Sequence, residues 1–239
     1  MSAESARERI RRALRQAGYS IFKSSSLPIG LDLVADISRI KEFASLTVIF
    51  DVGANIGDWT AQYLTHAPNA KFYCFEPAAE TARELTRRMA RTSRVQVSQL
   101  AIGSAKGSAT LYHADHSVQH SLLAPEGHVG QGRSEQVHVD TLDDFTEARG
   151  ISHIDLLKTD TEGFDHQVLM GAERLLASRR IDFVLVEVNF AERDPSHSNF
   201  ATISRALGAH GYTPIGFYDV HWWGPPWFVT YMNVLYTCL

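Results

Sequence analysis

Two acidic residues 25 positions apart, Asp51 and Glu76, each close a short apolar run, and a glycine-rich turn follows the first. The runs are VIFD, leading into VGANIG, and FYCFE, followed by Pro77. Gly53, Ala54, Asn55 and Gly57 form a turn in which glycines let the backbone approach a ligand closely. The helix-like stretch after them presents free N–H groups at its start. An acid ending the second run can accept hydrogen bonds from both hydroxyls of a ribose. This is the layout of a nucleotide-type site at the first turn of a doubly wound sheet.

The details select among ligands. A dinucleotide site reads G-x-G-x-x-G and sets a helix start against a pyrophosphate. Here the turn reads GANIG with no third glycine, and Asp51 beside it would repel a pyrophosphate. S-adenosylmethionine has no phosphate but carries an ammonium, which Asp51 suits directly or through water. The adenine is expected near Leu100, Ala101 and Ile102. A nicotinamide-linked oxidoreductase and a non-catalytic cofactor-binding module are the alternatives.

Methyl transfer to a hydroxyl needs a group to take its proton. Asp160 and Glu162 flank Thr161 after a fourth apolar run, and Glu187 ends a fifth. These are the candidate catalytic acids, and Asp160 and Glu187 also offer oxygen ligands of the kind Mg²⁺ prefers. Among eleven histidines, His166 follows the acidic motif and would lie beside Glu162 at i, i+4 of a helix. His113, His116 and His120 lie in the segment 103–145, and His221 near the C-terminus. The run FYDVHWWGPPWF at 217–228 puts Trp222, Trp223 and Trp227 around Pro225 and Pro226. It suits a rigid aromatic wall for an acceptor, with the segment 113–123 opposite, or else a contact with a second copy of the chain.

These residues must be positioned by alternating strands and helices, the pattern of a parallel sheet with crossover helices. Strands are expected near 47–52, 71–76, 95–101, 154–160, 182–188, 212–219 and 229–238, and helices over 57–66, 78–91, 165–178 and 198–210. The segment 103–145 breaks the rhythm with two further strands, SATLYHA and EQVHVDTL, joined by a polar loop. Residues 4–22 read as an amphipathic helix with Arg7, Arg9, Arg11, Arg12 and Arg15. Docking of that helix on the domain is the favoured reading; a membrane surface is the alternative. A second short helix is expected over 32–44.

The chain has 239 residues, 21% charged and 44% hydrophobic, with a formal net charge of −4. That gives no global attraction to nucleic acid. No apolar run reaches membrane-spanning length, and only Cys74 and Cys238 are present, so no disulfide framework or zinc cluster is built. A cytoplasmic location is the expectation.

Together DVGANIG, FEP, QLAIG, VDTLDDF and IDLLKTDTEGFDHQVLMGA resemble the FkbM family of S-adenosylmethionine-dependent methyltransferases, over roughly residues 47–190. The pairing of LDDF with KTDTEGFD some fifteen residues on is the specific part. The resemblance implies a Rossmann-like class I methyltransferase fold, a seven-stranded, mostly parallel sheet with an antiparallel last strand. It implies O-methylation of a sugar, glycolipid or polyketide-like hydroxyl. Its glycine loop and ribose acid map onto Asp51, Gly53, Asn55, Gly57 and Glu76, and its lysine–acid motif onto Lys158, Asp160, Glu162 and Gly163. The family often has Glu where this chain has Asp165. The organisation expected is a helical extension over 1–45 and a methyltransferase domain over 46–239, with a β insertion at 103–145.

Overall fold

The computed structural model describes residues 6–23, 26–112, 122, 134–190, 197–225 and 228–238. The expected roles of Glu4, His113, His116, His120, Pro226 and Trp227 fall outside these residues, as does the 113–123 segment except Leu122. In chain order the elements are α1 (Ala6–Gln16), α2 (Leu33–Ser38), β1 (Val48–Val52), α3 (Asp58–Tyr63), β2 (Lys71–Phe75), α4 (Ala79–Met89), β3 (Val95–Ser98) and β4 (Ala101–Ile102). There follow β5 (Gly107–Tyr112), β6 (Ser134–Asp140), α5 (Leu142–Arg149), β7 (Ile154–Thr159), α6 (Asp165–Met170), α7 (Glu173–Ala177) and β8 (Ile181–Asn189). The chain ends with β9 (Ser198–Asn199), α8 (Phe200–Gly208), β10 (Thr213–Tyr218), β11 (Trp222–Trp223), β12 (Phe228–Val229) and β13 (Tyr231–Thr237).

Seven strands form the main sheet in the order β3-β2-β1-β7-β8-β13-β10, and the short β9 pairs in parallel with the end of β8. All pair in parallel except β13, which runs antiparallel between β8 and β10. The interior strands read as nearly continuous apolar runs because both faces are covered. Side-chain alternation splits them. Phe50, Leu157 and Val184 face one core with Phe145, Val168 and Ile203, while Ile49, Leu156 and Phe183 face the other with Ile37 and Leu85. The chain leaves β1 toward β2 on one side and returns to β7 on the other. The crevice at this switch point lies over the carboxyl ends of the strands.

Several expected elements differ in ways that matter for the site. The third strand stops at Ser98; Ala101 and Ile102 leave the main sheet and pair with Val139 and Asp140 in a separate sheet of order β4-β6-β5. Helix α5 was not anticipated by the strand-like reading of EQVHVDTL. Thr141 caps it, its hydroxyl accepting from the Asp144 amide at 3.1 Å, and Gly150 ends it in the left-handed region. The helix expected over 165–178 breaks at Gly171, where a Cβ would run into the Gly103 carbonyl oxygen. The second half restarts with the Asp143 carboxylate accepting from the amides of Arg174 and Leu175 at 2.9 and 3.0 Å. The last expected strand divides, because Phe228 and Val229 pair with Trp223 and Trp222 rather than with the main sheet.

The N-terminal helix also departs from expectation. No described side chain of α1 from Glu8 to Gln16 is buried, so the helix does not dock its apolar stripe on the domain. Among the described residues no helix is long and apolar enough to cross a membrane.

Candidate cofactor and acceptor site

The site is organised by the pairing of β1 with β7, which sets Asp51 in register with Lys158. Asp51 is completely buried, and its Oδ1 lies 3.2 Å from the Lys158 ammonium while its Oδ2 accepts from the Thr60 hydroxyl at 2.7 Å. The direct contact with a cofactor ammonium expected of Asp51 is therefore corrected: Lys158 fills that place. Lys158 also lies 3.3 Å from Asp160 Oδ2 and donates to the Gly53 carbonyl at 3.3 Å. Burial would lower its pKa, but the charges of Asp160 and Asp51 hold it above the usual lysine value. Cys74, buried beside Asp51 and Thr60, has its thiol pushed up to about 12 by burial and the Asp51 charge, which leaves it unreactive.

The glycine turn then does its work at close range. Gly53 has φ +75, and a Cβ there would strike the Asp160 carbonyl oxygen, so only glycine brings the two loops together. Asn55, also left-handed at φ 47, donates its amide to Glu76 Oε2 at 3.0 Å, and the Ala78 amide donates to Oε1 at 2.9 Å. Each Glu76 oxygen keeps a second lone pair for a ligand. Burial pushes the Glu76 carboxyl up to about 7, with the two amides pulling the other way.

Of the expected cofactor residues, Gly53, Asn55, Glu76, Pro77, Ala101 and Asp160 line one cavity at the switch point. Its far wall is apolar, with Leu100, Ile102, Leu111, Leu122 and Phe164, as an adenine requires. Ala54 and Gly57 do not line it. Ala54 is in the core, its amide donating to the Phe75 carbonyl, and Gly57 starts α3 where a Cβ would meet Leu85 and Met89. Two buried polar atoms on the cavity wall, Asn55 Oδ1 and Thr161 Oγ1, have no hydrogen-bond partner among the described residues. Orphans of this kind are costly unless a polar ligand meets them. With the open lone pairs of Glu76, they fit a ribosyl and amino-acid ligand such as S-adenosylmethionine.

Three candidate catalytic acids gather at one end. Asp160 and Glu162 line the cavity, and Glu187 hydrogen-bonds Asp160. Burial pushes Glu187 up to about 9, with the negative charges of Asp160, Glu162 and Asp165 adding to it. Glu162 sits in the left-handed region at φ 51, in the turn before α6. Asp165 fastens that turn from below. Its Oδ1 accepts from the Thr159 hydroxyl at 2.5 Å and the Thr161 amide at 3.1 Å, and its Oδ2 accepts from the Ser198 hydroxyl at 3.1 Å. A longer Glu would have to pull back to make the same three bonds.

The structure places another histidine than His166 beside the acids. Helix α6 begins only at Asp165, so Glu162 is not on its face, and His166 does not line the cavity. His197 is the histidine that meets the acids, its Nε2 3.4 Å from Glu187 Oε2. Tyr231 is sandwiched between His197 and His221, with ring centroids 4.6 and 4.2 Å away. Its hydroxyl pKa is raised by burial and by the charges of Glu187, Glu162 and Asp160. The stack ties the loop carrying Trp222 and Trp223, both largely exposed, to the acid end of the cavity. Nothing in the spacing marks His197 or Tyr231; only the parallel return of β9 along β8, and β13 alongside, brings them in.

A divalent cation does not fit this arrangement. Asp160 already faces an ammonium, and its link to Glu187 is a hydrogen bond. Among the described residues the metal-type trio with ligand atoms within 4.8 Å of one another is His153, Asp155 and Asp182, at the opposite ends of the strands. There Lys41 already provides the cation.

Residues 51–214 match the methyltransferase FkbM domain. The chain belongs to this family. As an FkbM methyltransferase domain it uses S-adenosylmethionine and has the Rossmann-like class I methyltransferase fold, which sets aside the nicotinamide-linked alternative. The 2-O-methyltransferase NoeI of Sinorhizobium fredii is 24% identical over 197 residues, covering 77% of this chain and 78% of that protein. Methyltransferase 1 of Beauveria bassiana is 28% identical over 214 residues, covering 82% and 83%. Among solved structures, the magnesium protoporphyrin IX methyltransferase of Synechocystis PCC 6803 aligns with a TM-score of 0.49 at 10% identity, over 100% of this chain and 86% of that one.

Proposed function

We propose that this FkbM methyltransferase methylates a hydroxyl oxygen of a sugar, glycolipid or polyketide-like acceptor. The observation that carries the reading is the joining of Glu76, Gly53 and Asp160 along one wall. On this reading Glu76 would be a ribose anchor at one end and Asp160 a proton-accepting carboxylate at the other, both on the wall of one cavity. That a similar protein is described as a 2-O-methyltransferase agrees with an oxygen acceptor. When bound, S-adenosylmethionine supplies an activated methyl group on sulfur. Glu76 would hold the ribose hydroxyls, and Asn55 and Thr161 the amino-acid end or an ordered water. Asp160 would accept the acceptor's proton as the new O–C bond forms and the C–S bond breaks. Lys158 holds Asp160 and the Gly53 carbonyl in fixed relation, so the methyl and the base keep their distance. The Tyr231 stack and the Trp222–Trp223 hairpin would form the acceptor side, with apolar ring faces suited to a glycoside.

Calorimetric titration with S-adenosylmethionine tests the cofactor end. Glu76→Ala should weaken binding by about 1–3 kcal/mol; unchanged affinity would place the ribose elsewhere. Labelled-methyl transfer to a panel of glycosides and other hydroxylated acceptors tests the reaction. Trp222→Ala and Trp223→Ala should raise the acceptor KM with cofactor affinity intact. Binding of cofactor with no turnover on any hydroxylated acceptor would reduce the protein to a binding module.

A further inference from the structure

We propose that the N-terminal segment, from α1 through Phe22, docks the protein on an anionic lipid surface. Half of the large apolar side chains exposed among the described residues fall between residues 10 and 31, a tenth of the chain. Ile10 is 59% exposed and Tyr19 65%, and Ile21 and Phe22 are open as well. The apolar stripe Ile10, Ala13, Leu14 and Ala17 lies on one side of the helix at i, i+3, i+4 and i+7. Arg9, Arg11, Arg12 and Arg15 occupy the remainder. Residues 1–23 carry six basic and two acidic side chains, net +4, whereas the whole chain is −4, so residues 24–239 carry −8.

That contrast identifies the partner. An apolar stripe beside clustered arginines matches the boundary between acyl chains and anionic headgroups. The acidic remainder of the molecule would be repelled by the same surface, so attraction is confined to this segment and orients the protein. The domain itself offers the helix no seat, since none of its described side chains from Glu8 to Gln16 is buried.

The chain just after the segment is fixed to the domain at a definite place. A Gly30 Cβ would press on the Phe217 carbonyl, the Gly30 amide donates to Asp36 Oδ2 at 2.8 Å, and the Tyr218 hydroxyl donates to the same oxygen at 2.9 Å. The Arg39 guanidinium donates to the Leu27 carbonyl. The chain that follows the segment therefore joins the domain beside the end of β10, where the chain turns into the Trp222–Trp223 hairpin. If that hairpin is the acceptor mouth, as proposed above, the mouth sits near the lipid.

Co-sedimentation of the full-length protein with phosphatidylglycerol and phosphatidylcholine vesicles tests this directly. Binding is expected to phosphatidylglycerol only, weakening as salt is raised. The triple variant Arg9→Glu, Arg11→Glu, Arg15→Glu should lower the partition coefficient about a hundredfold or more, and Tyr19→Ser with Phe22→Ser should lower it as well. Neither change should alter S-adenosylmethionine affinity, which shows that the domain is still folded and separates this outcome from any failure of the O-methylation reading. Absence of phosphatidylglycerol binding, or binding indifferent to the charge reversals, would overturn the proposal. So would light scattering that finds a lipid-independent dimer which the same variants split, since the helix would then serve a second copy.

Discussion

The two ends of β7 bury the same chemistry in opposite ways. At the amino end Asp155 accepts from the Thr47 amide and hydroxyl and the Val48 amide, at 2.8, 2.9 and 2.8 Å, and pairs with Lys41. Burial alone would raise its pKa, but Lys41 and these donors hold it below the usual carboxylate range. At the carboxyl end Asp51 and Asp160 share the buried Lys158 ammonium, Glu162, Asp165 and Glu187 stand close to Asp160, and burial drives Glu187 and Asp165 upward. At one end both carboxylate oxygens of Asp155 have partners within the chain. At the other, negative charge exceeds its partners and polar atoms are left open. A fold holds such an imbalance where a ligand completes it, and S-adenosylmethionine brings a sulfonium and an ammonium.

The largest expected effect follows from removing Lys158, the lysine paired with Asp51 and Asp160 at the crowded end. Lys158→Met should destabilise the protein by about 3–5 kcal/mol in chemical denaturation, because Asp51 is left charged and fully buried. Should it lose no more than the corresponding change at the opposite end, the contrast is wrong. Next, Asp160→Asn keeps the shape of the site while removing charge. Turnover should fall about a hundredfold or more, with cofactor affinity within a few-fold, as measured by single-turnover kinetics beside calorimetry. Equal losses in both would make Asp160 a binding residue.

A smaller effect separates the ends by pH. Glu76 has a raised pKa, so its contribution to stability is full below about pH 4.5 and is lost as pH rises through about 7. Asp155 has a lowered pKa, so its contribution is present above its ordinary value and is lost as pH falls below it. Glu76→Gln should therefore flatten the stability profile between pH 4.5 and 7 by about 2 kcal/mol, and Asp155→Asn only the acid limb. A profile in which both variants alter the same limb would erase the distinction. Smallest of all, Lys41→Met should cost about 1 kcal/mol, since Asp155 keeps its three other donors. A cost matching that of Lys158→Met would again collapse the comparison.

The sequence made one half of this site legible. Glycine turn, ribose acid and strand-end acids are local patterns, and each of Gly53, Asn55, Glu76, Asp160 and Glu162 reaches the cavity as spacing suggests. Partnerships across strands were not legible. Asp51 reads as a ligand contact until the register of β1 with β7 places Lys158 opposite it. His197 and Tyr231 depend on β9 and β13 lying beside β8, and His166 was favoured only by assuming a helix that starts too late to carry Glu162. The broken helix at Gly171 is likewise set by a contact with Gly103, 68 residues away in the chain.

The hairpin of β5 and β6 closes on itself, with Tyr112 opposite Ser134 and Gly107 opposite Val139. Its base is fixed to the cofactor wall through Ala101 and Ile102. The chain between Tyr112 and Ser134 thus leaves and re-enters at adjoining points, whatever its length. Doubling such a loop costs only about 0.6 kcal/mol in closure entropy. Leu122 alone of those positions is seen on the cofactor wall, so rewriting the rest to suit a new acceptor is cheap for descendants of this chain, while a change of cofactor would have to rebuild Gly53, Asn55 and Glu76 together.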